Sequence, residues 1–420
     1  MFMDQGIFTT YESEVRSYCR TFPTVFTKAK GSLLTDQDGR TYIDFFNGAG
    51  ALNYGHNPEY IKRALIDYLE SDNIIHALDM YTVAKGEFIE AFENRILKPR
   101  GYSYKIQFPG PTGTNAVEAA LKLARKVTKR TGVFALMGCF HGMTLGSLAL
   151  TSDLGSRAGA GVPLGNVTHM PAPYMFGDEF ALNYVRTVLE DDHSGIDKPA
   201  AIVIETVQAE GGVYAFSNEY LRGIEKIARD NGILLIVDDI QVGASRTGTF
   251  FSFDRAGITP DMVVLSKSIG GYGMPFALTL FKPDLDIWTP GEHNGTFRGN
   301  QLSMVAAKCG IDLTIDQQVE AGTVRRGQIV SDFLTREVAP LDDSIQVRGL
   351  GLIWGIDVAE EELAQKISRA CFDKGVILER AGRKNAVVKL MPSLVIPDEV
   401  LVEGLGVIRD AVAEVFAARG

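Results

Sequence analysis

The chain has 420 residues, 45% of them hydrophobic and 22% charged, with 52 acids against 42 bases and a formal net charge of −10. That length exceeds one small core and suits a large domain with a smaller companion, while the acidic balance opposes nonspecific nucleic-acid binding. No run of about 18 apolar residues is present to cross a bilayer, the four cysteines and six histidines show no metal-ligand spacing, and the N-terminus lacks a basic-then-apolar leader, so a cytoplasmic protein without metal, disulfide framework or membrane contact is expected.

In chain order, a polar, helical lead-in is followed by short strands at Ser32–Thr35 and Thr41–Ile43, split by the hairpin signal Asp38-Gly39. After Pro58, Ile61, Leu65 and Leu69 repeat at helical spacing. A strand over Tyr104–Phe108 ends at Pro109-Gly110-Pro111 and leads to a helix from Asn115 to Val127, with Ala116, Ala120, Ala124 and Val127 on one face. Strand-like runs then alternate with helices at Val133–Met137, Ala201–Glu205, Ile233–Asp238, Met262–Ser266 and Phe276–Phe281, the pattern of a mostly parallel sheet covered on both faces. Beyond Gln301, strands at Ser344–Val347, Leu352–Val358, Gly375–Leu378 and Ala386–Leu390 surround a helix at Glu361–Asp373, which suggests a smaller α+β domain. The expected division is an N-terminal segment 1–60 packing with the small domain, a large domain 61–310 and a C-terminal small domain 311–420.

Chemistry concentrates at the ends of two strands. The apolar run Ile233–Val237 delivers Asp238 and then Gln241, and the run Met262–Leu265 ends at Ser266-Lys267. The carboxyl edge of a parallel sheet is where open α/β folds bind ligands. An acid able to face a cationic ring nitrogen and an amine able to form a Schiff base are what a pyridoxal phosphate enzyme needs, although a structural ion pair would read the same way. Thr112-Gly113-Thr114 opens a helix with outward N–H groups, fit for a phosphate or for simple capping. Phe140, after another strand, could stack on a flat ring or fill a core.

Together these segments resemble the class III aminotransferases, over about Gly31 to Pro397. The motifs fall in family order: Thr112-Gly113-Thr114 with Glu118-Ala119, Phe140-His141-Gly142, Glu205 to Gly212, Asp238 to Gln241 with Arg246-Thr247-Gly248, Ser266-Lys267 and Thr296. The resemblance implies the α/β fold of type I pyridoxal phosphate-dependent transferases, aspartate aminotransferase-like, with a large domain carrying a mostly parallel mixed sheet and a smaller α+β domain. It further implies pyridoxal 5'-phosphate as cofactor, Lys267 as the amine bonded to it, Asp238 against the pyridine nitrogen and Gln241 at the ring hydroxyl. Gly113 and Thr114 would form the phosphate cup, with Phe140 and His141 lining the ring. Thr296 would reach the phosphate of a neighbouring subunit, making the protein a homodimer at least, with a tetramer left open. Asp239 is the decoy beside Asp238.

Ser17 to Pro23, Phe45 to His56 and Phe108 to Gly113 narrow the resemblance to the branch that serves ectoine biosynthesis. That branch moves the amino group of L-glutamate onto L-aspartate 4-semialdehyde; ornithine-type, 4-aminobutyrate-type and aminomutase chemistry are the alternatives. Glu210 matches the family glutamate that covers or releases a carboxylate-binding arginine, but Lys389 stands at the arginine's position. Lysine is a point charge without a two-pronged contact, so this half of the switch departs from the family. Met143, Ala49 and Asp239 depart as well, from arginine, tyrosine and glutamate respectively.

Overall fold

The computed structural model describes residues 3–419, so Met1, Phe2 and Gly420, at the outer ends of the expected segments 1–60 and 311–420, lie outside the described residues. A seven-stranded sheet organises the middle of the chain, in the order Lys105–Gln107, Leu278–Phe281, Met262–Leu265, Leu234–Asp238, Ala201–Ile204, Val133–Leu136, Val167–Met170. Only Leu278–Phe281 runs against its neighbours. Strand alternation sends Ile202, Ile204, Leu235, Val237, Val263 and Leu265 into one core. Their neighbours Ala201, Val203, Ile236, Met262 and Val264 enter another on the opposite face. The second face is covered by the helix Gly113–Thr128, through Ala116, Ala120 and Ala124. The first is covered by Asn218–Asp230 and by Phe88 and Phe92 of Val83–Phe92. Burying each such branched or aromatic side chain contributes about 1.5–3 kcal/mol, which explains why the central strands are apolar throughout rather than alternating.

Two four-stranded sheets and a two-stranded ribbon, Val207–Gln208 with Tyr214–Ala215, accompany this one. In the C-terminal sheet, Gln346–Leu350, Ile353–Asp357, Val387–Leu390 and Glu379–Ala381 pair antiparallel in that order. The N-terminal sheet joins Phe26–Lys30, Leu33–Asp36 and Thr41–Asp44 and is completed by Val376–Ile377, parallel to Thr41–Asp44. Ile43 and Phe45 accordingly share a core with Leu352, Ile356 and Leu401.

Several expectations shift in detail. Ile61 and Leu65 are buried but Leu69 is 52% exposed, because a strict spacing of four drifts by about 40° per step around a helix. The helix expected from Asn115 starts two residues earlier, at Gly113. The edge strand Val167–Met170 and the short strand Glu379–Ala381 carry no clear alternation and escaped the sequence reading. Phe276–Phe281 is a strand only from Leu278.

Candidate active site

At the carboxyl ends of the central strands lies a cavity of ≈ 200 Å³. Every residue singled out for cofactor or substrate lines it except Lys389 and Thr296. Asp238 ends its strand buried, and its Oδ2 lies 2.6 Å from His141 Nδ1, while Oδ1 accepts from the Ile240 N–H at 3.1 Å. The imidazole is wholly enclosed, and its other nitrogen, Nε2, meets no partner. Burial works against a charged imidazole, but the Cys139 sulfur and the Asp238 carboxylate hold its pKa well above the usual value. Glu205 sits behind them, accepting from the Phe140 N–H at 2.9 Å, and burial raises its carboxyl to about 7. Asp239 points away, accepting from the Ser252 N–H at 3.0 Å, which separates it from its neighbour as the sequence order suggested.

Lys267 follows its strand in a left-handed backbone conformation, φ 52°, that a non-glycine residue rarely adopts. Its amine forms no hydrogen bond or ion pair among the described residues, and burial lowers its pKa despite Glu210 nearby. Gln241 donates to the Ala49 carbonyl at 2.9 Å while lining the same space.

The mouth of the helix Gly113–Thr128 closes one end. A Cβ on Gly113 would stand 2.8 Å from Ile240 Cδ1, and one on Gly142, whose φ is +127°, 2.7 Å from both Thr114 Oγ1 and Ser147 Oγ. Backbone N–H groups and hydroxyls are thus packed together at a helix N-terminus, the arrangement that binds phosphate. A phosphorylated planar ring fits this chain's donors: hydroxyls and N–H groups for the arm, the half-buried Phe140 for a ring face, and a carboxylate–imidazole pair at the far end.

Outside the cavity lining but paired with Glu210, Lys389 is entirely buried and sits between two carboxylates, Glu210 Oε1 at 2.5 Å and Glu379 Oε2 at 3.1 Å. Glu379 and Lys389 face each other across antiparallel strands. The Tyr18 hydroxyl donates to Glu379 Oε1 at 2.8 Å, and burial together with that carboxylate pushes its phenol upward. Burial disfavours all these charges, yet mutual attraction prevails, raising the pKa of Lys389 and lowering that of Glu210. Glu379 and Tyr18 were not singled out in the sequence; the register of the two strands reveals the first, and only the tertiary contact with Glu379 reveals the second.

Thr296 stands apart, exposed at the start of the turn Thr296–Gly299, with its carbonyl 2.7 Å from His76 Nε2. Arg246, fully buried, donates to the carbonyls of Leu352 and Pro392 at 2.9 and 2.5 Å and to Asn53 at 2.5 Å, tying the strand-end loop to the C-terminal sheet. Burial brings its guanidinium down to about 9. Away from the cavity, Asp191, Asp192 and His193 gather ligand atoms within 4.8 Å of one another, all on exposed side chains, a grouping common on acidic surfaces without an ion.

Comparison with known proteins adds an independent line. The family model described as aminotransferase class-III matches residues 15–412. The diaminobutyrate–2-oxoglutarate transaminase of Halalkalibacterium halodurans is 52% identical over 411 residues, 97% of this chain and 96% of its own length. The protein of that name from Marinococcus halophilus is 50% identical over 416 residues, 99% and 97% of the two chains. Among solved structures, an ornithine aminotransferase from Toxoplasma gondii, described with partial occupancy of PLP at its active site, superposes with a TM-score of 0.86 at 25% identity, covering 99% of this chain and 94% of that one. A transaminase from the marine bacterium Virgibacillus shares the fold, with a TM-score of 0.89 at 20% identity and 99% of both chains covered.

Proposed function

The chain belongs to the class III aminotransferases, and from that premise we propose that it transfers the amino group of L-glutamate to L-aspartate 4-semialdehyde, giving L-2,4-diaminobutyrate and 2-oxoglutarate. The observation that carries the reading is the convergence of Lys267, Asp238 and His141 on one cavity at the sheet's carboxyl edge. Similarity over nearly the full chain to transaminases named for that reaction supports the choice of substrates.

Pyridoxal 5'-phosphate, when bound, supplies an electron-accepting ring that acidifies the hydrogen on the amine-bearing carbon. Lys267 would hold its aldehyde carbon, and its amine would take and return the proton at the substrate's reacting carbon. Its lowered pKa favours the free-amine form that this task needs. Asp238 would keep a proton on the ring nitrogen, and His141, hydrogen-bonded to it, fixes that carboxylate. Gln241 would meet the ring hydroxyl, Phe140 would cover a ring face, and Gly113 and Thr114 would hold the phosphate. Thr296, exposed here, reaches the phosphate of a neighbouring copy, so the working unit is at least a homodimer.

Glutamate brings a carboxylate to the reacting carbon and aspartate semialdehyde does not. Glu210 covers Lys389 for the second substrate and moves aside for the first, leaving the ammonium to receive glutamate's α-carboxylate. The same reading divides the chain at about residues 60 and 310. It places the protein in the cytoplasm, at the step that commits aspartate semialdehyde to ectoine.

Product identification tests the assignment, with glutamate and aspartate semialdehyde set against ornithine and 4-aminobutyrate. Equimolar diaminobutyrate and 2-oxoglutarate are expected. Preferential turnover of ornithine or 4-aminobutyrate would move the chain to another branch, and rearrangement without release of 2-oxoglutarate would make it an aminomutase.

A further inference from the structure

A second cavity, of ≈ 520 Å³, adjoins the first, the two sharing Phe140 and Glu210 in their walls. Its far side is the turn Arg383–Asn385, which joins the strand bearing Glu379 to the strand bearing Lys389. The Gly382 N–H donates to the Glu210 carbonyl at 2.9 Å, so turn and glutamate are fastened together. Lys384 and Asn385 both hold positive φ, 57° and 51°, a costly conformation that clusters near ligand sites.

Arg383 on this turn is held in place, yet no carboxylate among the described residues pairs with it. Its Nη1 donates to the Tyr174 hydroxyl at 3.0 Å, and its guanidinium carbon lies 5.3 Å from the centre of the Tyr174 ring. Tyr174 in turn stacks on Tyr214 with centroids 3.7 Å apart and planes 10° from parallel. The guanidinium carbon of Arg348 sits 4.0 Å from the Tyr214 ring centre, pinned by Asp357 at 2.9 Å and the Gly212 carbonyl at 2.7 Å. The Tyr174 hydroxyl spends its own proton on Gln208 Oε1 at 3.0 Å, which leaves its oxygen free to accept from Arg383. Only neutral groups therefore fix Arg383, an exposed side chain whose guanidinium lines this second cavity. Although exposed, the guanidinium is held in one geometry, from which a ligand-binding arginine gains.

We propose that Arg383 binds the substrate carboxylate that lies three bonds from the reacting carbon, in both half-reactions. The inference rests on the reaction proposed above, whose two substrates share that feature. In L-glutamate the reacting carbon is C2 and the second carboxylate is C5; in L-aspartate 4-semialdehyde the reacting carbon is C4 and the carboxylate is C1. One fixed guanidinium serves both, with the two-pronged contact that Lys389 cannot make.

The test compares the wild-type holoenzyme with Arg383→Gln, Arg383→Lys and Tyr174→Phe. The amino donors are L-glutamate and L-norvaline, which has the same five-carbon chain without the distal carboxylate. Arg383→Gln should lower the glutamate-to-norvaline ratio of kcat/KM by about 10- to 100-fold, as loss of a charged hydrogen-bonded contact does. It should raise KM for aspartate semialdehyde in step and leave kcat nearly as it was. Arg383→Lys and Tyr174→Phe should show smaller losses in the same direction. An unchanged ratio, or a KM effect on only one of the two substrates, would overturn the proposal. Glutarate and pentanoate binding, followed by titration calorimetry, separates this inference from the reaction itself. If the wild type fails to use glutamate yet Arg383→Gln selectively weakens glutarate, the reaction is wrong and the carboxylate site stands.

Discussion

The two walls of the cavity are built on opposite principles. On the sheet side, Asp238, His141 and Lys267 come from strand ends and the loops directly after them, and the charges are left incomplete: His141 Nε2 has no partner and the Lys267 amine touches none. On the other side, Glu210 and the Lys389, Glu379 and Tyr18 side chains beyond it come from three distant stretches and answer one another, with a lysine between two carboxylates and a phenol on one of them. An incomplete wall waits for a ligand; a completed wall stabilises the fold until a substrate reopens it. Function and stability should therefore respond differently to substitution on the two sides.

The largest separation is expected from Lys267→Ala, which should cut turnover by about 10⁴-fold or more while unfolding at nearly the wild-type temperature, since no contact of the amine is lost. Steady-state kinetics and thermal melts of the cofactor-free protein check this, and near-normal activity would remove Lys267 from the mechanism. Lys389→Ala should do the reverse in stability, costing about 3–5 kcal/mol in denaturant titrations because two carboxylates remain in a buried site without their cation. It should also raise KM for glutamate more than for aspartate semialdehyde. Equal shifts for both would mean that Lys389 does not hold the donor's carboxylate.

A third contrast concerns Asp238 and its neighbour. Burial raises Asp239 from 3.8 to about 7, and its Oδ1 meets no donor. The folded protein thus keeps a proton that the unfolded chain gives up. The resulting stability is full below about pH 4 and lost as pH rises through about 7, and Glu205 behaves alike. Asp239→Asn should flatten this decline, measured as the difference in denaturant midpoint between pH 5 and pH 8; a decline as steep as the wild type's would show that Asp239 is ionised throughout. The smallest effect belongs to Tyr18→Phe, which removes one hydrogen bond to Glu379 and should cost about 0.5–1.5 kcal/mol with little change in kcat. A large fall in kcat would put the phenol in direct contact with substrate.

The unequal legibility of the two walls has the same origin. Asp238 and Lys267 stand where uninterrupted apolar runs stop, so local pattern alone located them, and the Asp38-Gly39 signal located the hairpin of Leu33–Asp36 with Thr41–Asp44 in the same way. The partnership of Glu379 with Lys389 depends on which residues of two short strands lie opposite each other, a register set by the turn at Arg383–Asn385 and by the core beneath. Tyr18 reaches Glu379 across 361 positions of sequence. Val167–Met170 was missed because it is an edge strand with three half-buried residues and carries neither a full apolar run nor clean alternation. For Thr296, motif order raised the expectation of contact with a neighbouring copy, and in the single chain the residue is exposed.

The sheet that Val376–Ile377 completes has a consequence for synthesis on the ribosome. Its partner strand Thr41–Asp44 is made early, and Ile43 meets Val376 only after 333 further residues have been added. At ordinary elongation rates that wait is roughly 20–70 s, during which one rim of the nascent hairpin stays unzipped. A bare strand rim invites pairing with other chains. Completion of this sheet therefore belongs to a late stage of the chain's synthesis.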